Sequence, residues 1–173
     1  MYSRTINIHS IIIKTDFGIM CGRYHSIGYK VFRNRAKTMI WVSALQLYEQ
    51  GKLDLEADIR TYLPDGFLTK LKYDDPITMI DLMNHRGGWQ EALYTIQVTD
   101  ESDIMPLGEA LKYSEPPQVF RPGEVEAYSN WGAALAGYII ECVSGMDYGE
   151  YLHKNIFRTT WYGAYSSNAR SQR

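Results

Sequence analysis

The octapeptide Val31–Thr38, VFRNRAKT, runs directly into MIWVSALQLYEQGKLDL over residues 39–55, and this stretch sets where a nucleophile could stand. From Lys37 to Gln50, the residues Met39, Val42 and Leu45 recur at helical spacing, with Ile40, Ala44 and Leu47 beside them. Gly51 is placed to end the helix in a left-handed turn. The spacing predicts a buried helix with Lys37 in its first turn. A lysine one turn after a serine would favour loss of the hydroxyl proton and so activate a nucleophile. Here, however, the residue three positions before Lys37 is Asn34. Elsewhere in the chain a serine or threonine precedes a lysine by three only at Thr69, before Lys72.

Composition narrows the field. A chain of 173 residues, 45% hydrophobic and 22% charged, is long and apolar enough for one globular domain with a real core. A formal charge of −2 leaves no basic face of the size phosphate binding needs, so no nucleic acid partner is expected. The compact basic cluster is Arg33, Arg35 and Lys37. Cys21 and Cys142 lack metal-ligand spacing and read as plain thiols, so no metal and no other cofactor is expected. The N-terminal apolar runs are too short and too interrupted by charge for a signal peptide or a membrane span, which places the product as translated in the cytoplasm. Fourteen tyrosines and four tryptophans suit a sugar- or peptide-binding groove, or simply an aromatic core.

Punctuation is clear from Lys37 onward. Leu53–Leu63 reads as a short connection closed by the turn-forming Pro64, Asp65 and Gly66. Thr78 is an N-cap with Asp81 as its capping-box acid, and Met79, Ile80, Leu82 and Met83 form the helix body, stopped by Gly87 and Gly88. A polar segment, Val98–Ser102, precedes a short helix at Leu107–Tyr113. Pro116, Pro117, Pro122 and Gly123 then force an extended stretch. A helix from about Trp131 to Val143 carries small residues on one side (Gly132, Ala133, Ala136, Gly137) and stops at Gly145. Asp147 and Glu150 cap a last helix that reaches Phe157.

Taken together, the Lys37 helix, QLYEQGKLDLEADIRTYLP (46–64), ITMIDLMNHRGG (77–88), FRPGE (120–124) and AYSNWGAALAGYIIECVSGMDYGEYLHKNIF (127–157) resemble the serine beta-lactamase and penicillin-binding-protein superfamily. The similarity is greatest to its class C and esterase-like branch, in which Y-x-N matches Tyr128, Ser129 and Asn130. The resemblance implies an α+β, beta-lactamase/transpeptidase-like fold, of which this chain covers mainly the helical region with an incomplete antiparallel sheet. It also implies acyl-enzyme chemistry on a lactam, peptide or small ester. In that chemistry Lys37 assists the nucleophile, Tyr128 shuttles the proton to the leaving group and Asn130 holds the substrate's amide. Small molecules or cell-wall peptides are the implied partners. Taken alone, Tyr128 would be a buried aromatic and Asn130 a helix cap.

The departures carry equal weight. Asn34, at the nucleophile position, has no hydroxyl to acylate, Arg33 stands where a glycine is expected, and no K-T-G or H-x-G strand follows. Residues 1–30 match the superfamily poorly, with Ile6–Gly18 as the candidate strands; residues 31–157 form the matching helical region. Residues 158–173 lose all periodicity. One permitted back-translation of Arg158–Arg173, read one base later, gives EPLGMEHTALTPDLS, a family-like continuation, so a one-base insertion after Phe157 is expected. The chain is thus expected to be truncated and inactive as translated. The alternative is a non-catalytic peptidoglycan- or beta-lactam-binding module. With sheet missing, apolar faces such as that of Trp131–Val143 are expected to stay exposed.

Overall fold

The computed structural model describes residues 27–90 and 105–157, with residues 27–36 given by their backbone alone. The helices are α1 (Ile27–Glu49), α2 (Met79–Met83), α3 (Leu107–Tyr113), α4 (Asn130–Ser144) and α5 (Tyr148–Leu152), the last continuing into a π-turn at His153–Phe157; a 3-10 turn spans Ile59–Tyr62. The expected strands at Ile6–Gly18, the polar segment Val98–Ser102, Cys21, the side chains of Arg33, Asn34 and Arg35, and the tail 158–173 lie outside the described residues.

Two expectations for α1 need correction. The helix begins at Ile27, so Lys37 lies well inside it and not in its first turn. No proline interrupts the segment, and Lys30, Arg33, Arg35 and Ala36 all favour helix. The buried face is Ile40, Ser43, Ala44 and Leu47, whereas Val42 and Leu45 are 36% and 46% exposed. Two apolar stripes compete on this helix, and packing against α4 selects one of them.

α4 is the hub. It touches α1, α2, α3, α5 and the 3-10 turn, and Trp131, Ala133, Ala134, Leu135, Ala136, Ile139 and Ile140 are all buried. The expectation that its apolar face stays exposed is therefore wrong. A helix that is apolar nearly all round is a core helix, and its glycines and alanines let several neighbours approach at once. Truncating a core residue such as Leu135 to alanine would cost about 2–5 kcal/mol.

Most local caps and stops act as the sequence predicts, but α2 ends at Met83 with Asn84 as its C-cap, short of the expected stop at Gly87 and Gly88. Thr78 and Asp81 form a reciprocal capping box on α2. Gly51 and Gly145 both sit at φ 68° beyond α1 and α4, a region open to glycine without a Cβ clash. The Asp147 carboxylate accepts from Gly149 N and Glu150 N at the start of α5. The turn Pro64–Phe67 closes with Phe67 N donating to Pro64 O at 3.0 Å.

Strand pairing among the described residues consists of two isolated antiparallel bridges, Asp58 with Thr78 and Trp89 with Gln118. Side chains hold the irregular segments together in place of ladders. The buried Glu115 carboxylate accepts from Thr69 N (2.7 Å), Lys70 N (2.9 Å) and the Thr69 hydroxyl. Gln118 accepts from Lys72 N and Tyr73 N and donates to Gly87 O. These bonds join residues 69–73 to the segment leading toward α4, and they fix the backbone that carries the site.

Candidate active site

The sequence places Lys37, Tyr128 and Asn130 far apart along the chain, and folding brings them together. Ser129 caps α4, its hydroxyl accepting from Gly132 N at 2.9 Å, so Asn130 is the first helical residue and not the cap. Asn130 is 4% exposed. Its Oδ1 accepts from Lys37 Nζ at 2.7 Å, across 93 positions of sequence. Because an ammonium only donates, this bond fixes which end of the Asn130 amide faces Lys37. The Tyr128 hydroxyl donates to the same Oδ1 over a long 3.4 Å.

Tyr128 is 52% exposed, so it is not the buried aromatic that its residue type alone would suggest. Its ring lies 4.0 Å from Lys37 Nζ, close enough for a cation–π attraction of roughly 0.5–2 kcal/mol depending on how dry the contact is. An amine, a phenol and a buried amide thus meet at the start of a core helix, with the phenol reaching solvent. With Lys37 as the neutral amine, such a group can accept a proton, pass one outward and orient an acyl substrate's amide.

The wall beneath comes from the turn after α2. His85 has φ 55°, which is unusual for a residue other than glycine. Its carbonyl accepts from Ala127 N at 2.8 Å, its Nδ1 accepts from Ser129 N at 3.3 Å, and its ring packs 4.5 Å from that of Tyr128 at 42°. Arg86 O accepts from Gly123 N at 2.8 Å, within a turn closed by Glu124 N donating to Arg121 O. Pro122 and Gly123, the latter at φ 77°, suit the central positions of a type II turn. Gly88 is required as glycine: it lies at φ 84°, and a Cβ there would sit 2.2 Å from Phe120 O.

Sequence reasoning overlooked His85. The one signal available was its place between the capped segment that opens at Thr78 and the pair Gly87 and Gly88. The Thr69–Lys72 pair, the other candidate hydroxyl–lysine spacing, is not set up as a nucleophile, since the Thr69 hydroxyl is bound to Glu115 and Lys72 Nζ lies 5.2 Å from the Tyr73 ring. Asn34 lies three positions before Lys37 along the continuous backbone of α1. Among the described residues no cluster of His, Cys, Asp or Glu could hold a metal ion. No described helix is long and apolar enough to cross a membrane.

Comparison with known proteins bears on this geometry. The family described as Beta-lactamase matches residues 36–172. The N-acetylmuramyl-L-alanine amidase of Bacillus subtilis (strain 168) is 28% identical over 123 residues, which are 66% of this chain and 28% of that relative. The chain therefore spans well under a third of that protein's length. Among solved structures, the octameric penicillin-binding protein homologue from Pyrococcus abyssi superposes with a TM-score of 0.58 at 25% identity, covering 70% of this chain and 29% of that one. A D-stereospecific amidohydrolase from Streptomyces sp. gives 0.56 at 25% identity, with 71% and 39% covered.

Proposed function

The chain belongs to the beta-lactamase family, and we propose that Lys37, Tyr128 and Asn130 form the acyl-transfer site of a beta-lactamase-related serine hydrolase whose nucleophile position is occupied by Asn34. The observation that carries this reading is the convergence of Lys37 Nζ, the Tyr128 ring and Asn130 Oδ1 at 2.7–4.0 Å from two distant segments. In the reaction such a site serves, a hydroxyl oxygen bonds to the carbonyl carbon of a lactam, peptide or small ester. The carbon–nitrogen or carbon–oxygen bond then breaks, and the hydroxyl proton passes through Lys37 and Tyr128 to the leaving atom. Asn130 holds the substrate's amide.

Asn34 cannot take the nucleophile's part. The lone pair of an amide nitrogen is delocalised into its carbonyl, so no acyl-enzyme forms on the chain as written. Cell-wall peptides and beta-lactams are the substrate class that the relatives' names point to. Incubation of the full chain with a fluorescent penicillin, read by intact mass, tests the proposal. Neither an adduct nor hydrolysis of nitrocefin is expected. A stoichiometric adduct on any residue refutes the inactive assignment, and saturable reversible binding without an adduct would favour a binding module.

A further inference from the structure

We propose that His85 is a positioning residue that sets the pose of the Tyr128 phenol against Lys37 and Asn130; the proton-shuttling part of this claim rests on the function proposed above. The argument starts from the backbone. His85 occupies a left-handed conformation at φ 55°, where a side chain beyond Cβ brings steric cost and glycine brings none. A histidine held there implies that its surroundings offset that cost, and such outliers gather at functional sites.

The surroundings are specific to the motif. His85 O and Nδ1 accept the backbone N–H groups of Ala127 and Ser129, one on either side of Tyr128. Its ring then meets the Tyr128 ring at 4.5 Å. One residue therefore holds the chain before the tyrosine, the chain after it and the tyrosine ring itself. Nδ1 must present its lone pair to accept from Ser129 N, so in the neutral ring the proton sits on Nε2. Because Ser129 is also the cap of α4 and Asn130 the next residue, the same contacts align the phenol with the Oδ1 that binds Lys37. Tyr128 is half exposed and would otherwise have freedom to swing into solvent.

The test uses the full chain with 3-fluorotyrosine in place of Tyr128, observed by fluorine NMR. Asparagine tolerates the left-handed region and can keep an acceptor near the Nδ1 position while removing the ring, so His85→Asn is the variant of choice. In the native chain, one resonance displaced from its position in concentrated urea is expected, with Overhauser transfer from the His85 ring protons. In His85→Asn, at least half of that displacement should be lost while the far-UV circular dichroism stays unchanged. Loss of the His85 ring current moves the resonance in any folded variant, so the deciding readout is Overhauser transfer between the labelled ring and the Lys37 side chain, whose Nζ lies 4.0 Å from that ring. That transfer should be lost in His85→Asn, and its persistence in the folded variant overturns the proposal. If His85→Asn does not fold, the Overhauser measurement on the native chain decides, and its absence is equally fatal. None of these signals requires acylation, so failure of the proposed chemistry and failure of this inference are separately visible.

Discussion

Two tryptophans pack at a tilt in the core, and the structure predicts that they respond unequally to the same substitution. The rings of Trp89 and Trp131 lie 4.9 Å apart at 59° and are both buried. Trp131 Nε1 donates to Leu111 O at 3.1 Å, a carbonyl in the last turn of α3, where intrahelical partners run out. Among the described residues, Trp89 Nε1 is buried with no hydrogen-bond partner. Trp131→Phe strands a buried carbonyl, costing about 1–3 kcal/mol, and trims the ring for on the order of 1 kcal/mol more; the sum is ~2–4 kcal/mol. Trp89→Phe loses a similar amount of ring but removes an unsatisfied buried donor. The two effects offset, leaving a net change within about 1 kcal/mol of zero. Urea unfolding followed by far-UV circular dichroism measures both. Equal losses, or a larger loss at Trp89, would refute the hydrogen-bond accounting on which the contrast rests.

Gly88→Ala combines a left-handed backbone with a Cβ 2.2 Å from Phe120 O, and should destabilise the fold by ~2–5 kcal/mol in the same assay. Ser129→Ala removes the cap on Gly132 N and should cost about 1 kcal/mol; Ser129→Asp, which keeps an acceptor, should recover most of it. Burial pushes the Glu141 carboxyl above the ordinary glutamate range, outweighing the hydrogen bond it accepts from Tyr148 N, and Asp147 adds to the rise. A carboxyl raised in the folded state contributes stability at low pH that is lost as pH climbs from the unfolded value near 4.5 through the folded one. Glu141→Gln should therefore raise the melting temperature at pH 7 and change it little in acid; the reverse pattern in a pH series of melts would contradict the assignment.

Signals confined to a few neighbouring residues were legible in the sequence. The Thr78–Asp81 box, the glycine stops at 51 and 145, the Asp147 cap and the bounds of α3 each follow from side-chain hydrogen bonds or φ preferences that need no tertiary context. Features decided by packing were not legible. Val42 and Leu45 match helical spacing as well as Ile40, Ala44 and Leu47 do, and only contact with α4 selects the buried stripe. The apolar face of α4 was expected to lack a partner, yet four other helices and the 3-10 turn cover it. The start of α1 escaped because VFRNRAKT contains no breaker to mark a boundary. Lys37, Tyr128 and Asn130 were found through motif resemblance, whereas His85 acts through its backbone angle and its ring contact, which leave almost no trace in the sequence.

The central claim is the proposal that Lys37, Tyr128 and Asn130 form an acyl-transfer frame whose nucleophile position is held by Asn34. Fluorescent-penicillin labelling tests it in a chain carrying Asn34→Ser and Arg33→Gly, with the tail from Arg158 replaced by a family-like continuation that includes the third motif. One covalent adduct per chain, mapped to position 34 and abolished by Lys37→Met, is the expected result. Asn34→Ser alone should stay unlabelled, since loss of even one oxyanion donor costs roughly a hundredfold or more in rate. A fully repaired chain that folds but takes no label would contradict the claim.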